Sequence, residues 1–249
     1  MNFENKTAII TGATSGIGRG ITQALHALGA NVLLSGRNAE IGEKMAEELG
    51  KRSCFVGGDI KLPATNELLV EQALVQFGRL DHLVLSAGQL GIGRLDALSL
   101  DDWHNTIATN LHAVFYLLKY GIPEIMKSGA GSIVIIGSVA ALHAFPNHPA
   151  YTASKGALPA LVKQVARDYG PDIRINLVSP AQVRTPLLED SVQAFENPAA
   201  ILDETAQRLP LKRLGEPKDI ADTVIHLLSE QASWITGANF VVDGGFLAT

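Results

Sequence analysis

Two residues four apart, Tyr151 and Lys155, carry the clearest chemical potential in the chain. The stretch from Pro149 to Tyr169 reads as a helix with both near its start. That spacing puts the two side chains on one helix face, roughly 5–6 Å apart at Cβ. A free phenol ionises near pH ~10 and is a poor base at neutrality. A neighbouring ammonium favours the phenolate, and so does a helix N-terminus. Lowering the pKa by about three units takes about 4 kcal/mol. A phenol tuned in this way exchanges a proton with a carbonyl or alcohol oxygen. Alone, the pair also describes two surface neighbours. Ser138 lies just past an apolar strand, at the carboxyl end where open α/β sheets bind their ligands.

A second feature is Thr11-Gly12-Ala13-Thr14-Ser15-Gly16-Ile17-Gly18, directly after the first strand-like run. Glycines at such a place let the chain turn sharply and let backbone N–H groups approach a pyrophosphate at a helix N-terminus. The spacing is Gly-x-x-x-Gly-x-Gly, and a structural turn is the alternative reading. Its position, after a strand and opening a helix, favours a phosphate cradle.

The elements that must hold these groups alternate. Strand-like runs occur at residues 7–10, 32–34, 53–56, 80–85, 132–136, 173–178 and 239–242. Between them lie helical stretches at 17–28, 39–49, 63–77, 100–126 and 149–169, and a last one from about 217. Strands apolar on both faces and separated by helices predict a parallel sheet covered on two sides. About seven strands fall short of an eightfold barrel, so the expected class is α/β, a doubly wound Rossmann-type sheet in one domain over 1–249. Residues 180–213 contain four prolines and read as a long irregular excursion, with 186–213 covering the site. Pro159, inside the helix of Tyr151 and Lys155, removes a hydrogen bond to the Lys155 carbonyl and predicts a bend or local water over 155–159.

Composition sets limits on function. The 249 residues are 47% hydrophobic and 18% charged, which excludes a disordered chain. A net charge of −5 argues against wrapping nucleic acid. One cysteine, Cys54, excludes an internal disulfide and fits a reducing compartment; it reads as a buried small hydrophobe. No apolar run reaches the ~18 residues of a membrane helix, and a cytoplasmic protein without membrane contact is expected. The histidines lack ligand spacing, so no metal is expected. Trp103 and Trp234 read as packing residues.

Taken together, Thr11 to Gly18, Asn110, Ser138 and Tyr151-x-x-x-Lys155 strongly resemble the short-chain dehydrogenase/reductase superfamily, over Lys6 to Gly245. The resemblance implies a seven-stranded Rossmann-type fold and a nicotinamide dinucleotide held by Gly12, Thr14, Ser15, Gly16, Ile17 and Gly18. It implies that Tyr151 is the acid/base, Ser138 holds the substrate oxygen, and Lys155 tunes Tyr151 and binds the ribose. Asn110 would anchor a water relaying protons to the lysine. Asp59 and Ile60 would contact adenine, with a structural N-cap as the alternative for Asp59. Ala87 and Gly88 would pass beside the adenine ribose, after Ser86 where the family usually has Asn. Pro180, Val183 and Thr185 would contact the cofactor. The resemblance also implies a homotetramer or homodimer.

The second strand ends Leu34-Ser35-Gly36-Arg37-Asn38. Gly36 stands where NAD-using members carry Asp, and the Arg37 guanidinium can pair with a 2′-phosphate. Ser35 and Asn38 could add neutral hydrogen bonds. NADP(H) is therefore favoured and NAD(H) remains possible, Arg37 being otherwise a solvated surface residue. Gln89, Leu90, His143, His148 and Gln182 are candidate substrate contacts, with a plain loop role equally open to each. The reading is an oxidoreductase of a ketone or aldehyde and the matching alcohol. A non-catalytic nucleotide-binding sensor is the alternative, and an isomerase or dehydratase has no positive support.

Overall fold

The computed structural model describes residues 1–192 and 197–248. Seven parallel strands form one sheet in the order β3-β2-β1-β4-β5-β6-β7. They are β1 (Thr7–Thr11), β2 (Asn31–Gly36), β3 (Ser53–Gly57), β4 (His82–Leu85), β5 (Gly131–Ile136), β6 (Ile173–Pro180) and β7 (Asn239–Val242). Strand β1 pairs with β2 on one side and with β4 on the other. The order therefore reverses between β1 and β4, opening a crevice at their carboxyl ends. The helices are α1 (Gly16–Ala27), α2 (Ala39–Leu49), α3 (Pro63–Phe77), α4 (Leu100–Ile107), α5 (Ala113–Ser128), α6 (Pro149–Tyr169), α7 (Pro186–Val192), α8 (Pro198–Arg208) and α9 (Pro217–Leu228).

Alternation along the strands builds two cores. Ala8, Ile10, Val32, Leu34, Val84, Val134, Ile136 and Val178 face a layer that includes Ile21 and Leu25 of α1 and Ile220 and Val224 of α9. Their neighbours Ile9, Leu33, Leu83, Leu85, Ile133, Ile135, Ile175 and Leu177 face Leu69 of α3, Leu117 of α5 and Leu158 of α6. Both strand faces are buried, as expected of a parallel sheet between helical layers. Gly20 permits a close crossing of α1 and α9: a Cβ there would meet Pro217 Cβ at 3.0 Å.

Four expectations are corrected. The long helix over 100–126 is two helices, α4 and α5, joined by a π-turn over Ala108–His112. The excursion at 180–213 holds helices α7 and α8, so prolines read as breakers are starters. Pro186 opens α7 and Pro198 opens α8, where a missing N–H costs nothing. Asn197 caps α8 by accepting from Ala200 N. Residues 193–196 of the covering loop lie outside the described residues. Trp234 does not pack against the rest of the chain; it is 99% exposed in the turn before β7. Cys54 is half-buried rather than buried, and desolvation pushes its thiol up to about 11. Helix α6 runs from Pro149 through Pro159 to Tyr169. Among the described residues no helix is long and apolar enough to cross a membrane.

Candidate active site

A cavity of about 460 Å³ lies at the carboxyl ends of the strands, running from the glycine loop across β4 to β5 and α6. At one end the chain leaves β1 through Gly12 at φ 66° and enters α1 through Gly16 at φ 49°, both in the left-handed region. A Cβ on Gly12 would stand 3.0 Å from the Ala87 backbone, and one on Gly18 would overlap the Gly12 carbonyl oxygen. The backbone is thus packed too closely for side chains at these places. The N-cap of α1, Ser15, makes no side-chain bond to the first turn. This is a bare-backbone helix start of the kind that receives phosphate. Thr11 Oγ1 accepts from the backbone N–H groups of Ser86 (3.1 Å) and Ala87 (3.2 Å), tying β1 to the segment after β4. Thr11 thereby supplies a support across the crevice beside Ser86.

At the rim, Gly36 and the exposed Arg37 line the cavity, as do Asp59, Ile60 and Lys61. A Cβ on Gly36 would lie 2.9 Å from both Oγ1 and Cγ2 of Thr14. A side chain at 36 therefore requires Thr14 to move. Asp59 does not cap α3, whose N-cap is Leu62. Its carboxylate accepts from Lys61 N at 3.0 Å and pairs with Lys61 Nζ at 3.4 Å. Asn38 is not a lining residue: Asn38 Oδ1 accepts from Ile41 N at 3.0 Å and caps α2. Ser35 does line the cavity, although its buried hydroxyl has no hydrogen-bond partner.

The other end brings together Ser138, Tyr151 and Lys155. Ser138 is extended, just past β5, and accepts from Ala140 N at 3.1 Å to start a 3-10 turn over Val139–Ala141. Pro149 starts α6, so Tyr151 stands in its first turn and Lys155 one turn on. Lys155 is 4% exposed; its Nζ donates to the Ile136 carbonyl at 2.8 Å and lies 5.8 Å from the Tyr151 ring centre. Burial lowers the Lys155 pKa to about 8. Burial raises that of Tyr151, and hydrogen bonding to Ser138 opposes the rise without cancelling it. Desolvation acts on both groups and favours both neutral forms.

Asn110 is 1% exposed and lies behind the cavity wall. Its Oδ1 accepts from Gln89 N (2.9 Å), and its Nδ2 donates to Gln89 O (2.9 Å) and Ser154 Oγ (3.0 Å). The side chain is engaged by protein on both ends and does not line the cavity. The π-turn presents Asn110 inward, and no pattern in the chain announces that turn.

Of the remaining expected residues, Ala87, Gly88, Gln89, Leu90, His148, Pro180, Gln182, Val183 and Thr185 line the cavity. Gln182 Oε1 is buried without a hydrogen-bond partner. His148 Nδ1 lies 2.6 Å from the Pro146 carbonyl, so it is the donor there. His143 does not line the cavity; its ring packs edge-on against Phe145 (5.2 Å) and Phe246 (5.1 Å). Leu187, Leu188 and Val192 of α7 and Thr205 of α8 join the lining, and only the expectation of a covering loop pointed to them. Among the described residues no group of three or more His, Cys, Asp or Glu side chains is arranged to hold a metal ion.

A family model described as enoyl-(acyl carrier protein) reductase matches residues 12–247. The cyclohexanol dehydrogenase of Acinetobacter sp. (strain SE19) is 36% identical, over 98% of this chain and 96% of that protein. The NADP-dependent (R)-specific alcohol dehydrogenase of Lentilactobacillus kefiri is 34% identical, over 99% of this chain and 98% of that one. A short-chain dehydrogenase/reductase structure from Brucella melitensis, described as a glucose/ribitol dehydrogenase, superposes with a TM-score of 0.92 at 36% identity, covering 98% of both chains. Near-complete coverage at this identity, joined to the glycine loop and the Ser138–Tyr151–Lys155 site, places the chain in the short-chain dehydrogenase/reductase superfamily of oxidoreductases.

Proposed function

We propose that this protein is an NADP(H)-dependent oxidoreductase that interconverts a neutral ketone and its secondary alcohol, or an aldehyde and its primary alcohol. The carrying observation is that Ser138, Tyr151 and Lys155 open onto the same cavity as the glycine loop. A dinucleotide fits that loop, where Gly12 and Gly18 leave no room for side chains and α1 begins without a side-chain cap. In this reading the segment Gly12–Gly18 holds the pyrophosphate, Asp59 and Ile60 face adenine, and Lys155 holds the nicotinamide ribose. Ala87, Gly88, Pro180, Val183 and Thr185 line its path. When bound, the nicotinamide supplies or accepts the hydride.

Tyr151 does the proton work in this mechanism. A desolvated phenol keeps its proton at neutral pH, so it is loaded to donate to the substrate oxygen as reduction proceeds. Ser138, beside it, orients that oxygen. In the oxidising direction the phenol must first lose its proton; burial opposes this and positive charge at the site favours it.

The rim supports the choice of NADP(H). Arg37 offers a planar donor fork to a 2′-phosphate, and Thr14 crowds the place where an acidic side chain at 36 would reach the 2′-hydroxyl. Substrate character is supported by the rest of the lining. Leu90, Val139, Phe145, Leu187, Leu188 and Val192 belong to it, whereas the ionic side chains of the lining (Arg37, Asp59, Lys61, Lys155) are given to the cofactor in this reading. That lining suits a neutral, largely apolar substrate, of which the cyclohexanol in the Acinetobacter relative's name is an example.

The test is turnover of NADPH with a panel of neutral cyclic, aryl and short-chain ketones against keto acids. Tyr151→Phe is expected to reduce kcat by about 10²- to 10⁴-fold while NADPH still binds. Wild-type protein that binds NADPH and turns over no carbonyl compound supports the sensor reading instead.

A further inference from the structure

Ser154 is an interior hydroxyl that the mechanism leaves unassigned. It is 0% exposed, three residues after Tyr151 and one before Lys155. Its Oγ donates to the Tyr151 carbonyl at 2.8 Å and accepts from Asn110 Nδ2 at 3.0 Å. A serine hydroxyl has one proton to give. With that proton on the Tyr151 carbonyl, the contact with Asn110 must run from Nδ2 to Oγ. Asn110 Oδ1 is then free to accept from Gln89 N, and the second Nδ2 proton goes to Gln89 O. Every donor in this path has an acceptor, and each amide and hydroxyl orientation follows from the next.

The path joins three separate elements: the first turn of α6, the π-turn, and the segment after β4 that lines the cavity. It closes beside the amine as well. A Cβ built on Gly88 would stand 3.7 Å from Asn110 Oδ1 and 3.8 Å from Lys155 Nζ. We propose that Ser154 is a positioning residue for proton transfer, its hydroxyl setting where the first turn of α6, and with it the Tyr151 phenol, stands relative to the Gln89 wall of the cavity. This rests on the reading of Tyr151 given above. Alanine would fill nearly the same volume, so a packing role alone makes the hydroxyl dispensable. A positioning role does not, because Ala leaves a buried Asn110 N–H without an acceptor and frees the turn from the wall.

The test compares Ser154→Ala and Ser154→Thr with wild type in ketone reduction at saturating NADPH. Ser154→Ala is expected to lower kcat about 10- to 100-fold, the cost of a small misplacement of a reacting group. NADPH affinity by fluorescence titration stays unchanged, and the solvent deuterium isotope effect on kcat rises. Ser154→Thr keeps a hydroxyl and recovers most of kcat. A wild-type kcat and isotope effect in Ser154→Ala overturns the proposal, whatever its melting temperature, and so does an equal loss in both variants. If Ser154→Ala does not fold, Ser154→Cys, a weaker donor, is expected to lose part of kcat, and full activity there is equally decisive against the proposal. A readout without turnover is the phenol titration of Tyr151, taken as the ultraviolet difference between each protein and its Tyr151→Phe counterpart. It is expected to move in Ser154→Ala and not in Ser154→Thr. If the wild type reduces no ketone, a moved titration upholds the role of Ser154 and removes only the reduction reading, while an unmoved one removes both.

Discussion

A phenol and an amine one turn apart suggest mutual charge stabilisation, yet here water removal governs both. Tyr151 is pushed up and Lys155 down to about 8 because each loses hydration on entering the cavity wall. The Lys155 amine is held by the Ile136 carbonyl, 5.8 Å from the Tyr151 ring centre. The identities of Ser138, Tyr151 and Lys155 were legible in the chain, since residue type and helical spacing carry that information. The balance of desolvation against charge was not, because it depends on what surrounds the pair. Asn38 shows the same limit: its Oδ1 accepts from Ile41 N and caps α2, a use that only the local geometry reveals. Arg37 remains the exposed basic group beside Gly36 at the rim. Arg37→Ala is expected to weaken NADPH binding about 10- to 100-fold, as loss of a charge-assisted pair does, and to leave NADH binding unchanged. Fluorescence titration with the two cofactors reads this, and an equal effect on both removes Arg37 from cofactor choice.

Regular elements were read closely wherever periodicity is strong: α2, α3 and α6 span the expected residues. Misreadings fell where one local signal serves two purposes. Proline punctuates loops and also opens helices, so α7 and α8 were read as irregular chain. The π-turn has ordinary helical composition on both sides, so the break between α4 and α5 left no mark. The loop between β5 and α6 is anchored by rings from a distant segment. Phe246 stacks on Phe145 at 5.6 Å with a 17° interplanar angle, and Phe145 meets His148 edge-on at 6.1 Å, with His148 edge-on to Tyr151 at 6.3 Å. Aromatic pairs of this kind contribute about 0.5–1.5 kcal/mol beyond buried area. Phe246→Ala is accordingly expected to raise the ketone KM by about 2- to 10-fold while NADPH affinity holds. Steady-state kinetics with both ligands varied separates the two, and an unchanged KM shows that the loop stands without its ring support.

The two ends of the sheet divide the labour of the whole molecule. The carboxyl ends carry the cavity, and the amino end of β4 carries a buried ionic cluster that serves stability. Asp81 is 0% exposed and accepts from Thr7 N, from Arg79 Nε and Nη2, and from Lys6 Nζ. Burial works to raise its carboxyl, but the Arg79 and Thr7 hydrogen bonds and the charges of His82 and Lys6 outweigh it and hold it below the ordinary range. His82 beside it is buried against Phe3, and desolvation holds its imidazole well below the usual value despite Asp81. In both cases the folded state takes up a proton less readily than the unfolded chain. Stability is therefore present above the ordinary imidazole range and is lost as pH falls through it, then further through the carboxylate range. Urea unfolding at neutral and at mildly acidic pH is expected to show this loss, smaller by about 1–3 kcal/mol in His82→Leu than in wild type. The same acid slope in both proteins assigns the loss elsewhere.

Chain order alone settled the α/β class, the strand count, the glycine loop after β1 and the Tyr151–Lys155 pair. These depend on periodicities of two and 3.6 and on residues within a few positions of one another, so no distant contact is needed to read them. Packing between distant segments settled the rest: which groups lose water, that Asn110 turns from the cavity to bind Gln89 and Ser154, that Thr14 guards Gly36, and that Phe246 backs the loop before α6. Desolvation and hydrogen-bond satisfaction are sums over every neighbour in space, and those neighbours come together only when the sheet assembles.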